Sequence, residues 1–199
     1  MTNNAPNASP MPNVFQTYGR QSAIKKLQSK QPRKSLKRYD DVHRMLWIFE
    51  LTDEASWSLL NRCVQEFESA GKEVWLIGLV SQKTRPDYVV AQSHCCVCQE
   101  KDDFGFWGKP KSHVVERTLS QPYDLVVDTI GVPNFFSQYV ALSAQAGLRI
   151  AYEDTSAPLP MDWQVRNTDV FDFVIRGDAP MDLRYYLDKV VEYLRVITK

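Results

Sequence analysis

The pattern with the clearest chemical content is an aromatic and basic loop at residues 104–112. It reads Phe-Gly-Phe-Trp-Gly-Lys-Pro-Lys-Ser, with Ser112 as the predicted cap of a short helix. Backbone amides at a helix start and lysine ammonium groups together hold phosphate or carboxylate groups. We therefore predict an anion site at Lys109, Lys111 and Ser112. The alternative is an ordered loop whose rings pack on the sheet edge and whose lysines face water.

A second set of polar side chains follows two predicted strands. Asp128 ends one strand, Asn134 opens the helix after it, and Thr52 follows the first strand of the chain. Ligands of parallel α/β sheets lie beyond the carboxyl ends of the strands, so these three residues are predicted to orient a ligand there. The alternative use is turn and helix capping. The first strand leads into a junction without glycine, which argues against a dinucleotide fingerprint or a P-loop there.

Three of the four cysteines lie in the run His94-Cys95-Cys96-Val97-Cys98. Zinc needs four converging ligands, and the chain has no second C-x-x-C and no H-x-x-x-H to complete such a set. A thioredoxin-type motif should open a helix, yet no apolar helical stripe follows Cys98. We therefore predict small buried thiols, no metal and no cofactor, and leave a redox role of these cysteines open.

The charge of the chain is divided unequally along its length. Net charge is zero, but residues 1–39 carry eight basic side chains and no acidic one, while residues 40–199 carry 16 basic and 24 acidic ones. This pattern predicts a disordered tail at residues 1–13 and a basic arm at residues 14–41, for which a helix is one option. Through residues 20–38 the arm can bind a polyanion such as RNA or the ribosome, or fold back on its own acidic body. The polyanion-binding residues of the arm are predicted to be Lys25, Lys26, Lys30, Arg33, Lys34, Lys37 and Arg38.

The remaining residues, 42–199, alternate short apolar runs with helical periodicity. This alternation predicts a single α/β domain with three layers and a mostly parallel sheet, Rossmann-like or flavodoxin-like, because parallel neighbours need crossover helices. An apolar stripe of helical spacing predicts a C-terminal helix over Leu183 to Ile197. The predicted strands are Met45–Phe49, Val74–Val80, Tyr88–Val97, Tyr123–Asp128, Leu148–Ala151 and Phe171–Ile175.

Composition excludes several classes of protein. No apolar run approaches the ~20 residues that a transmembrane helix needs. No short apolar core follows a basic start, so a secretory signal is not expected. Four cysteines in 199 residues are too few for a disulfide scaffold, and a cytoplasmic location is therefore predicted.

The chain resembles a family of short, uncharacterised α/β proteins of Bacteroidota, classed as a domain of unknown function. The resemblance rests on the motif W-G-K-P-K-S at residues 107–112, on the strand from Tyr123 to Asp128 and on the order of elements from Arg44 to Lys199. It implies an α/β fold and a bacterial cytoplasmic protein, and it supplies no activity.

Two functions follow from these observations. The charge split and the lack of a catalytic constellation favour a binding protein without catalytic activity, whose basic arm engages a polyanion. The alternative is a small enzyme or sensor that holds a phosphorylated or carboxylated metabolite at the carboxyl edge of the sheet, where Lys109 and Lys111 bind the anion and Asp128 orients a hydroxyl.

Overall fold

The architecture is a six-stranded parallel sheet between two layers of helices. The computed structural model describes residues 14–31, 35–80, 86–89, 92–99, 102–160 and 163–196. Every pair of neighbouring strands is parallel, and the strand order is β3-β2-β1-β4-β5-β6. The strands are β1 (Arg44–Glu50), β2 (Glu73–Val80), β3 (Cys95–Gln99), β4 (Pro122–Asp128), β5 (Gln145–Asp154) and β6 (Phe173–Gly177).

The predicted three-layer α/β fold is confirmed, and the strand order is the Rossmann-like one of the two that were predicted. The third strand begins later than predicted, at Cys95 rather than Tyr88. The helices are α1 (Val14–Gln28), α2 (Glu54–Ser69), α3 (Ser112–Leu119), α4 (Phe135–Ser143) and α5 (Leu183–Val196). None of the described helices has the length and apolarity needed to cross a bilayer.

Alternate side chains of the central strand β1 supply the two halves of the core. Met45 and Trp47 pack with the apolar stripes of α2 and α5 on one face of the sheet. Leu46 and Ile48 pack with α1, α3 and α4 on the other face. Both faces are buried because crossovers in a parallel sheet place helices on each side. Two helix caps fix the loops at the carboxyl edge, since Asp53 accepts from the Ser56 amide and Asn134 accepts from the Ser137 amide.

The segment predicted to be an arm outside the domain differs most from expectation. Residues 14–28 form α1, whose Ala23 and Ile24 are buried against the α4 side of the core. The Gln28 side chain donates to the Asp169 carbonyl at 2.7 Å, and that of Gln31 donates to the Leu142 carbonyl at 2.9 Å. The domain therefore begins at α1 rather than at residue 42. The predicted tail at residues 1–13, and Arg33 and Lys34 of the arm, lie outside the described residues.

Candidate functional site

The carboxyl edge of the sheet carries two separate cavities, and the sheet divides the predicted ligand-orienting residues between them. Thr52 lines a cavity of about 550 Å³ between α2 and α5, together with Ser56 and Thr129. Asn134 lines a cavity of about 600 Å³ on the opposite face, between α1 and α4. These two residues therefore do not share one ligand.

Asp128 lies at the switch point where the strand order reverses, between β1 and β4. Its side chain is completely buried, and one oxygen accepts from the Ile130 amide at 3.0 Å. Burial raises the pKa of Asp128 to about 7, against the opposing effects of the Ile130 amide and the Ser137 side chain. Asp128 is not among the residues that line either cavity. In this structure Asp128 shapes the turn after β4, which is the capping use that the sequence left as the alternative.

The predicted anion-binding residues also lie away from these cavities. The Lys111 ammonium donates to the Asp102 carbonyl at 2.6 Å, and the Lys109 carbonyl accepts from the Gly105 amide at 2.9 Å. Ser112 is the first residue of α3 rather than its cap, a position that Lys111 takes without a side-chain bond. None of Lys109, Lys111 and Ser112 lines the two cavities at this edge. These contacts place the lysines in the folding of the loop, and a metabolite site at this edge needs other residues.

The cavity between α1 and α4, here called the α1–α4 cavity, is the most aromatic of the three larger ones at this edge. Sequence reasoning missed its one described charged residue, Arg20, because that residue stood as one member of a basic run. The residues lining it are Gln16, Arg20, Leu79, Phe104, Gly105, Phe106, Gly108, Pro133, Asn134, Phe135, Phe136, Pro160 and Trp163.

The loop at residues 104–111 closes this cavity by docking on α1. The Trp107 ring packs flat on Gly19, where an added Cβ would lie 2.5 Å from the ring. At Gly108 the backbone has a φ of +70°, and an added Cβ would lie 2.6 Å from the Arg20 guanidinium. Arg20 donates to the Trp107 carbonyl at 3.2 Å. The Trp-Gly pair of the motif therefore fits two positions of α1, which gives this part of the motif a structural role.

The opposite wall is fixed by a buried network of side-chain amides. The Trp163 indole donates to the Gln138 side chain at 3.0 Å. Gln138 in turn donates to the Val165 carbonyl and to the Asn167 side chain, at 3.0 and 3.1 Å. Asn167 and Gln138 are fully buried, and these bonds satisfy them. The network holds the Trp163 ring in one place against α4.

The cysteines are divided between the two faces of β3. Cys95 packs with the core on the α2 side, whereas Cys98 is buried in the core on the α3 side. The C-x-x-C spacing therefore points its two sulfurs to opposite faces, because side chains alternate along a strand. A bond with the Cys96 thiol and burial raise the pKa of Cys98 far above its ordinary range. No group of three or more potential metal ligands occurs within the described ranges.

The basic residues of the predicted arm have two different environments. The Lys37 ammonium is 2.6 Å from the Asp124 carboxylate, which also accepts from the amides of His43 and Arg44. Burial acts to raise the pKa of Asp124, but the Lys37 bond and the two amides outweigh it and hold the pKa below its ordinary value. The other arm residues that are described are exposed, and they are Lys25, Lys26, Lys30 and Arg38.

The comparisons with known proteins place the chain in a family and give it no activity. Comparison with curated proteins gave no match. The mitochondrial 2-enoyl thioester reductase Etr1p/Etr2p heterodimer from Candida tropicalis is similar over 98% of this chain and 50% of that chain, at 14% identity and a TM-score of 0.38. The chain thus spans about half the length of that reductase chain. Residues 16–197 match a family of unknown function, in line with the resemblance to an uncharacterised α/β family, and the chain belongs to that family, DUF6913.

Proposed function

We propose that this chain is a binding protein that engages a polyanion, with RNA or the ribosome as first candidates, through the basic residues on and after α1. The observation that carries the proposal is the exposure of Lys25, Lys26, Lys30 and Arg38. Within the described part of the chain, their side chains form no ion pair. Their charges are therefore available to a partner.

The way α1 is attached supports this proposal over an arm folded onto an acidic body. The helix is held by apolar contacts of Ala23 and Ile24, and one arm residue, Lys37, pairs with an acidic side chain of the body, Asp124. The attachment thus uses few of the positive charges. A helix fixed in this way also presents its lysines without an ordering cost at the moment of binding.

Binding to a fluorescently labelled, mixed-sequence single-stranded RNA tests the proposal. The full chain should bind at low salt and lose affinity steeply as salt rises, because each phosphate contact releases counterions. The triple variant Lys25→Gln, Lys26→Gln, Lys30→Gln should weaken binding at least about tenfold and flatten the salt dependence.

A second triple variant removes the same charge from the opposite face of the sheet. Arg62→Gln, Lys189→Gln and Arg195→Gln change exposed positions of α2 and α5. This variant should bind RNA like the unmodified chain. Absence of RNA binding at low salt, or equal loss in the two triple variants, would contradict the proposal.

A further inference from the structure

The α1–α4 cavity has the properties of a preformed small-molecule site. Its volume of about 600 Å³ lies in the range of pockets that hold small organic ligands. It opens at the carboxyl ends of β2 and β4, through Leu79 and the turn before Asn134, where open α/β sheets bind their ligands.

The walls of the cavity favour a flat, unsaturated ligand. Five aromatic side chains line it, from α4, from the loop at residues 104–111 and from the segment after residue 162. Phe104 and Phe136 form a tilted ring pair with centroids 5.9 Å apart, and Phe135 and Trp163 form an edge-on pair at 5.3 Å. Rings in these arrangements accept a further ring face-on or edge-on.

Charge gives the ligand its polar end. Arg20 is the one charged side chain among the described residues that line the cavity, and no described acidic side chain lines it. The Arg20 guanidinium lies 5.4 Å from the centroid of Phe135, so it borders the aromatic wall directly. A guanidinium has five N–H donors in a planar fork that matches a carboxylate, so it can bind one while keeping its contact with the loop.

The walls are positioned before any ligand arrives. Trp163 is fixed by the Gln138 and Asn167 network, and Trp107 and Arg20 are interlocked with Gly19 and Gly108. Preorganisation of this kind lowers the entropic cost of binding. A ring system enclosed by such walls differs from a phosphate chain lying on exposed lysines, so this site is separate from the proposed polyanion surface.

We propose that the α1–α4 cavity binds a planar aromatic carboxylic acid, with its ring system among Phe104, Phe136 and Trp163 and its carboxylate at Arg20. The single positive charge selects a monoanion rather than a polyphosphate. This proposal goes beyond the polyanion function and does not depend on it.

Isothermal titration calorimetry of the full chain with 2-naphthoate and 2-naphthamide tests the proposal. The two probes have the same ring system and differ in charge. The unmodified chain should bind the acid about tenfold or more tightly than the amide. Arg20→Gln should abolish this preference, because it removes the guanidinium. Lys25→Gln, which removes the same charge from an exposed position of α1, should keep the preference.

A second variant keeps the test decisive if Arg20→Gln fails to fold. Phe106 lines the cavity yet is 72% exposed, so Phe106→Ala should leave the fold intact. It should weaken both probes by a similar factor, since it removes aromatic wall and no charge. The proposal is overturned if the acid does not bind at concentrations up to about 1 mM, or binds no better than the amide. It is equally overturned if Phe106→Ala changes neither affinity, or if Lys25→Gln removes the preference as fully as Arg20→Gln does.

Discussion

The two helical layers of this domain are held to the sheet by different means. On one face, α5 buries Leu183, Leu187, Val190 and Leu194 in a regular apolar stripe. On the other face, α1 buries Ala23 and Ile24 and gains the rest of its attachment from shape, where a glycine meets a tryptophan ring. The first layer depends on apolar area, and the second depends on the fit between a few small positions and the loop that covers them.

The largest effect is expected on the α5 side. Leu187→Asp places an unpaired charge at a position that is 1% exposed and removes its packing. It should lower the free energy of unfolding by about 5 kcal/mol or more, a large part of what a domain possesses. Urea unfolding measures this loss. Leu159→Asp, at a position that is 67% exposed, is the matched control, and equal losses in the two variants would contradict the assigned packing.

A pH-dependent effect is expected under the α4 side of the sheet. Because the pKa of Asp128 is raised to about 7 in the folded chain, its protonated form contributes stability fully below about pH 4, and this is lost as pH rises towards 7. Above that pH the buried charge costs about 4 kcal/mol, from roughly three pKa units. Asp128→Asn should therefore stabilise the domain at pH 8 and much less at pH 5, as measured by urea unfolding at both values.

Asp124 on the same strand supplies the control of opposite sign. Its lowered pKa means that its contribution to stability is present above the ordinary pKa of an aspartate and is lost as pH falls through the lower folded value. Asp124→Asn should therefore destabilise the domain at pH 7 and have less effect in acid. A stabilising effect of Asp124→Asn at pH 7, or a destabilising effect of Asp128→Asn at pH 8, would contradict these environments.

The comparison of the two layers is sharpened by a buried position of α1. Ile24→Ala should cost about 3 kcal/mol, because Ile24 is 1% exposed and packs in the core on the α4 side. Phe15→Ala on the same helix should cost little, since Phe15 is 77% exposed. Thermal unfolding of the two variants measures the difference. If Ile24→Ala melts at the temperature of the unmodified chain, α1 is an arm outside the domain, as its charge suggests.

The smallest of these effects concerns the fit between α1 and its covering loop. Gly19→Ala should cost about 2 kcal/mol, because the added Cβ meets the Trp107 ring at 2.5 Å. Gly105→Ala in the loop itself should be nearly neutral, since its nearest neighbour lies 3.8 Å away. Urea unfolding and the near-ultraviolet circular dichroism of the tryptophans compare the two. Similar losses would show that Trp107 does not depend on Gly19.

The sequence predicts those parts of this fold that depend on local periodicity. The strand from Val74 to Val80 and the stripe of α5 have regular apolar patterns, and both occur where they were predicted. The strand order has no such signal, because it depends on which distant strands pair. The same holds for α1, where the apolar Phe15 and Tyr18 are exposed and the buried face rests on Ala23 and Ile24.

The α1–α4 cavity was predicted in part for the same reason. The loop at residues 104–112 and Asn134 were singled out by their composition, and residues of that loop and Asn134 do line one cavity. Arg20 was counted as one charge among eight, because nothing in the sequence near residue 20 indicates Trp107 or Gly108 as its neighbours. A site assembled from residues more than 80 positions apart depends on tertiary packing, which periodicity does not encode.

The position of Cys98 on an edge strand gives this domain an internal clock for its own motions. Its thiol is completely buried, and its pKa is raised, so an alkylating reagent meets neither an accessible sulfur nor a thiolate while β3 stays paired with β2. Reaction requires the strand to detach first. The rate of Cys98 labelling under native conditions therefore measures how often this edge of the sheet opens, and its dependence on urea distinguishes local detachment from global unfolding.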